Sequence, residues 1–144
     1  MRIADSGRLL GLYNDNDNAD NADNDTNSYN VNLPDIATLP GVVSLYFVVS
    51  DRLNADIKFL TSGTTNTFQG RLLCDQYSDG GGPAVYTFHS NDKLVVDHQD
   101  AEEGDTFELK SHLGIKKWIV KGHCAIERAI YGKNDNDPES DSSD

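Results

Sequence analysis

Between Ile57 and Asp97 the chain alternates short apolar stretches with glycine and Asn/Asp punctuation, a pattern that suits strands and leaves little room for helices. Ile57-Lys58-Phe59-Leu60 is followed by Thr67-Phe68-Gln69-Gly70-Arg71-Leu72-Leu73-Cys74, then by residues 84–89, then by Asn91-Asp92-Lys93-Leu94-Val95-Val96. Gly70 and Gly80-Gly81-Gly82 mark the bends. Four short strands in this order are what a Greek key needs.

The flanking sequence extends the β pattern. Residues 42–49 form the strongest strand, with Val43, Leu45, Phe47 and Val49 on one face by period two. Val42, Tyr46 and Val48 occupy its other face, so burial on both sides is expected. Residues 105–110 alternate cleanly, Phe107 and Leu109 against Glu108 and Lys110, and residues 115–121 and 125–131 complete a set of eight. Ile126 and Ile130 are four apart, as on a helix, but the β-rich context and the short span between Gly122 and Gly132 favour a strand. The fold class predicted is all-β, an antiparallel Greek-key β-sandwich of about eight strands.

Composition places that sandwich in one part of the chain. Residues 14–27 are Asn, Asp, Ala and Thr only, and residues 134–144 are Asn, acids, one Pro and three Ser, so neither can bury enough to offset the entropy of ordering. The expected organisation is a largely disordered Asp/Asn-rich segment at 1–30, a β-sandwich domain at 31–133 and a disordered acidic tail at 134–144. The formal net charge of −12 is concentrated in those ends. Such acidity attracts cations and repels phosphate backbones and anionic membranes, so neither nucleic acid nor a membrane is an expected partner. The densest basic run, Lys116, Lys117 and Lys121, is too short for a binding stripe. No stretch approaches the roughly 18 apolar residues of a membrane span. The N-terminal residues lack the apolar run of a signal peptide, so a cytoplasmic location is expected, with secretion after trimming as the alternative.

The corner and loop residues carry a resemblance. Phe68-Gln69-Gly70 before Arg71, the glycine loop, and Asn91-Asp92 opening the next strand together resemble one Greek-key motif of the βγ-crystallin superfamily, over about 40 residues. Lys116-Lys117-Trp118-Ile119-Val120-Lys121-Gly122 is similar to the closing strand of a second motif. The resemblance implies a folded hairpin between the first two strands, with residues 61–67 as its polar corner. The family's aromatic before Phe68 is absent, and Gly63 stands there. It also implies a calcium site at Asn91, Asp92 and Lys93, the last through its backbone carbonyl. Val95 and Val96 replace the family's hydroxyl ligands, which weakens or abolishes that site. A plain Asn-Asp turn is the competing explanation of the same residues. Asn14, Asn16, Asn18, Asp20 and Asp25 have a superficial likeness to an EF-hand loop. Ala19 occupies the glycine position, however, and no flanking helices are evident.

No nucleophile-elbow, paired-carboxylate or phosphate-loop pattern is present, and Gly80-Gly81-Gly82-Pro83 lacks the lysine of a P-loop. Cys74 and Cys124 are expected as half-buried strand thiols rather than a disulfide scaffold. A zinc set from Cys74, His89, His112 and Cys124 has no recognised spacing, and nothing in the spacing demands a nucleophilic pair of Cys74 with His89 or His98. The expected function is that of a non-enzymatic, crystallin-like structural protein, monomer or weak dimer, stabilised by calcium. The alternative is a binding module for a carbohydrate or protein ligand, such as a lectin, adhesion protein, toxin or inhibitor. Tyr46, Tyr77, Tyr86 and Trp118 would then form the contact surface.

Overall fold

The computed structural model describes residues 7–13, 29–61 and 66–134. The Asn/Asp tract, the corner residue Gly63 and the tail beyond Asn134 lie outside the described residues. Among the described residues there are ten strands: β1 (Leu9–Leu12), β2 (Tyr29–Asn32), β3 (Ser44–Val49), β4 (Ile57–Leu60), β5 (Thr67–Gln76), β6 (Ala84–Asn91), β7 (Lys93–Val96), β8 (Thr106–His112), β9 (Lys117–Ile126) and β10 (Ile130–Lys133). Among the described residues the only helical piece is a 3-10 turn, Ile36–Thr38, capped by the Asp35 carboxylate.

The strands form two sheets. One has six strands in the order β1-β3-β8-β9-β5-β6, the other four in the order β10-β7-β4-β2. Both sheets are mixed, against the expectation of a purely antiparallel fold: β1 runs parallel to β3, β2 to β4, and β5 to β9. Period-two alternation specifies which face a residue occupies and carries no information about the direction of the neighbouring strand.

Two strands were not anticipated. β1 and β2 lie at sheet edges, where one partner suffices and alternation is weak, and Leu9 is 68% exposed. The folded body therefore takes in residues 9–12, which the sequence had assigned to the Asp/Asn-rich segment. The strand expected at 125–131 is instead the end of β9, a turn and β10. Ala129 N–H donates to Ile126 O at 3.1 Å, and Arg128 adopts φ +74 to make the break. β3 has one buried face only: Leu45, Phe47 and Val49 point into the core, while Tyr46 is exposed and Val48 half-buried.

The inner faces of both sheets share one core. Phe47 and Phe107 come from the larger sheet and Phe59 from the smaller. Their ring centroids lie 4.9 to 5.4 Å apart, with Phe59 edge-on to both others. Each fully buried phenyl of this kind contributes about 2 kcal/mol relative to exposure.

β4 through β7 decide where polar groups can gather. β5 and β6 pair as a hairpin in the larger sheet, closed by the glycine loop, in which Tyr77 N–H donates to Gly82 O at 3.0 Å. β4 and β7 pair antiparallel in the smaller sheet. The chain thus crosses between the sheets at the β4–β5 and β6–β7 connections, and β4 and β5, the expected folded hairpin, lie in different sheets. Gly70 sits inside β5, at φ +142, where a Cβ would collide with the Val120 carbonyl of β9. The Phe68-Gln69-Gly70 signature is accounted for by that close approach of two parallel strands.

Candidate metal centre

β7 is four residues long, and each of its ends carries a polar cluster. At the first end, Asn91 closes β6 and Lys93 opens β7, where it pairs with both Leu60 and Lys133. Asn91 Oδ1 accepts from the His89 N–H at 2.9 Å, and its Nδ2 donates to Asn134 Oδ1 at 3.4 Å. The Asp92 N–H donates to the same Asn134 oxygen at 3.2 Å, and Thr61 Oγ1 donates to the Asp92 carbonyl at 3.5 Å. Asn91 therefore spends its carbonyl on the backbone of its own turn, the behaviour expected of a turn residue. Val95 and Val96 are both buried, and Val96 belongs to the shared core, so the positions where the crystallin motif has hydroxyl ligands offer an ion no side-chain oxygen.

At the other end three potential ligands converge. Ile57 of β4 stands opposite Val96 of β7, so the next pair outward along the ladder is Asp56 against Asp97. The Asp97 N–H donates to Ala129 O at 2.8 Å, which ties it to the residue before β10. Its Oδ1 accepts from the Gln99 N–H at 2.8 Å, and its carbonyl accepts from Ala101 N–H at 2.9 Å. That tight turn folds His98 back over β4. Asp56 Oδ1 then receives both the His98 N–H, at 2.9 Å, and a contact from His98 Nδ1 at 2.6 Å. One ligand atom from each of Asp56, Asp97 and His98 falls within 4.8 Å of the others, and all three residues are half-buried.

Of the three side chains, Asp97 bears the electrostatic cost of this end. Burial pushes the Asp97 carboxyl above its ordinary range, and the nearby Asp56 and Asp100 carboxylates push it further. The Gln99 N–H bond and His98 pull the other way and only partly compensate. Tyr131, in register with Val95 on β10, has its phenol pushed up to about 12, first by burial and then by Asp56 and Asp97. The Arg128 guanidinium lies 4.9 Å from the Tyr131 ring centroid and offsets part of that negative field. Like charges directly opposite on neighbouring strands are destabilising.

A divalent ion would relieve that repulsion. Ligand atoms about 2.1 Å from a common zinc-sized ion lie roughly 3.4 Å apart in a tetrahedron. The His98 Nδ1–Asp56 Oδ1 pair, 2.6 Å apart, would have to open by about 0.8 Å on the same scale. The cation would displace the contact between His98 Nδ1 and Asp56 Oδ1.

The remaining sequence candidates do not join this group. Cys74 meets Cys124, not a histidine, and both are fully buried rather than half-buried. His123 Nε2 contacts Asp75 Oδ1 at 2.7 Å on the exposed outer face. Among the described residues, the only cluster of three or more His, Cys or acidic ligands is Asp56, Asp97 and His98. The aromatic set does not form a surface either. Trp118 is completely buried, and Tyr86 accepts the Gly132 N–H at 2.9 Å with its hydroxyl, whereas Tyr46 and Tyr77 are exposed. No helix among the described residues is long and apolar enough to cross a membrane.

No protein-family model, curated protein or solved structure matches this chain. Sequence reasoning missed Asp56 and Asp97-His98 as a set. The signal was available only through strand register: once β4 and β7 are paired with Ile57 opposite Val96, two acids must meet at the end of the ladder.

Proposed function

We propose that this chain is a non-enzymatic β-sandwich protein whose folded state takes up a divalent cation at Asp56, Asp97 and His98. The observation that carries the reading is the convergence of two carboxylates and an imidazole from segments 42 positions apart, within 4.8 Å. The imidazole nitrogen favours a zinc- or manganese-like ion over calcium, which prefers oxygen ligands alone. The role is structural. A cation bound only by the folded state stabilises it by mass action, by about 2.7 kcal/mol at a concentration 100 times the dissociation constant.

The likeness to the βγ-crystallins has in its favour the order of strand, Phe68-Gln69-Gly70, glycine loop and Asn91-Asp92 turn. The separation of β4 from β5 into different sheets counts against a Greek key of that form. A calcium site at Asn91, Asp92 and Lys93 has less support than the cluster at the opposite end of β7, because only the latter brings three His or carboxylate ligand atoms within 4.8 Å of one another among the described residues.

Calorimetric titration of the full chain with zinc, manganese and calcium chlorides, repeated on His98→Ala and Asp97→Asn, tests the reading. Saturable zinc or manganese binding in the parent chain and none in either variant is the expected result. Equal heats in all three proteins would remove the cation from this site. A calcium signal surviving both substitutions would return it to Asn91-Asp92-Lys93 or to the Asp/Asn tract.

A further inference from the structure

β5 and β9 run parallel in the larger sheet with Cys74 directly opposite Cys124. Their sulfurs lie 3.4 Å apart, both thiols are free, and both are buried. We propose that Cys74 and Cys124 are a disulfide modification site, a reversible covalent clamp between two strands of the larger sheet.

The backbone already has the required spacing. Neighbouring strands lie about 4.8 Å apart, within the roughly 4.4–6.8 Å range of Cα separations that a disulfide spans. The sulfurs have to close by about 1.4 Å to reach bonding distance, a movement that χ1 rotation supplies. Little is lost in doing so. The contacts given up are long thiol interactions, from Cys74 Sγ to Leu72 O at 3.7 Å and from Cys124 Sγ to Ile126 O at 3.4 Å.

Access comes from the strand ends. β5 finishes at Gln76 and β9 at Ile126, so each cysteine is the third residue from its end. Opening of these two adjoining strand ends uncovers both thiols together. In the closed state burial, the Cys74 thiol and the nearby Asp105 and Asp75 carboxylates hold the Cys124 thiol well above the ordinary cysteine range. Oxidation is therefore gated by opening of those strand ends, because the thiolate is the attacking species.

The oxidant is a small soluble disulfide such as glutathione disulfide. One cysteine thiolate attacks it, forming a mixed disulfide and expelling one glutathione thiolate. The second cysteine thiolate attacks the protein sulfur of that mixed disulfide and expels the other. Two protein thiols are oxidised, one external disulfide is reduced to two thiols, and the two protein protons pass to the leaving groups.

The test is to expose the full chain to glutathione disulfide at mildly alkaline pH, in buffer and in urea below the unfolding transition, and to follow thiols, intact mass and linked peptides. The expected product has both thiols consumed, no retained glutathione and a Cys74–Cys124 linked peptide. It forms faster in urea, and dithiothreitol reverses it. Its melting midpoint should rise by about 10 °C, the scale set by cross-linking a loop of this length. Cys124→Ala should stop at a single stable glutathione adduct. Two free thiols persisting in the urea arm, stable adducts on both cysteines of the parent chain, or intermolecular dimers would each overturn the proposal.

Discussion

The two ends of β7 solve the same problem with different chemistry. At the Lys93 end, the chain turns from β6 through an amide that satisfies its own backbone, and Asn91 and Asn134 hold the turn with neutral hydrogen bonds. At the Val96 end, the turn places two carboxylates opposite each other and folds an imidazole over one of them. The first arrangement is complete as it stands. The second leaves the Asp97 carboxylate disfavoured by burial and by its acidic neighbours, which is what the proposed cation would relieve. A turn held by amide hydrogen bonds needs no ion, whereas paired carboxylates on one ladder are costly unless something occupies the space between them.

The largest effect is expected from breaking the neutral end. A Cβ on Gly132 would overlap the Asn91 side chain, so Gly132→Ala should displace the turn and destabilise the fold by about 2–3 kcal/mol. Urea unfolding measures the loss, and the stabilisation by zinc or manganese should survive, since the other end is untouched. An unchanged unfolding midpoint would mean that the Asn91–Gly132 packing is not what holds this turn. Asp56→Ala comes next. It deprives the His98 N–H and ring of their acceptor, at a cost of about 1–2 kcal/mol, and should abolish the cation-dependent gain in the same melts. A retained gain would separate the cation from this carboxylate. Asn91→Ala removes the acceptor of the His89 N–H and should cost about 1 kcal/mol with the cation response intact. If that substitution abolished a calcium response, the two ends would have to exchange roles.

The contrast also explains what the sequence could and could not reveal. Turn chemistry is local, so Asn91-Asp92 and the glycine loop were legible as turns, and the alternation of residues 42–49 and 105–110 gave the inner faces of β3 and β8. Partner and direction are not local. Nothing in Thr67 to Gln76 distinguishes an antiparallel neighbour from the parallel β9 it has, and β1 is too short and too exposed to betray its pairing. The break between β9 and β10 falls at Arg128, which adopts positive φ without the Gly or Asn that would have announced it. The metal candidate suffered the same way. Asp97-His98 is an unremarkable dipeptide until the register of β4 against β7 brings Asp56 to face it.

The smallest expected effect is the most discriminating, because its sign is opposite to that of an ordinary loss. Asp97→Asn keeps an oxygen to accept the Gln99 N–H and removes the charge that opposes Asp56. Because the folded-state pKa of Asp97 is raised above the ordinary value of 3.8, the contribution of its carboxyl to stability is fully present below 3.8 and is lost as pH rises through the raised value. The parent chain should therefore lose stability over that interval in a way that Asp97→Asn does not. At neutral pH without metal, the variant should be as stable as the parent or slightly more so. With zinc or manganese present the order should reverse, since only the parent gains. Parallel melts across pH 3 to 7, with and without the ion, read both signs in one set of curves. A variant that is less stable than the parent under every condition would mean that the Asp97 carboxylate serves the turn itself rather than a cation. The two ends of β7 would then be alike.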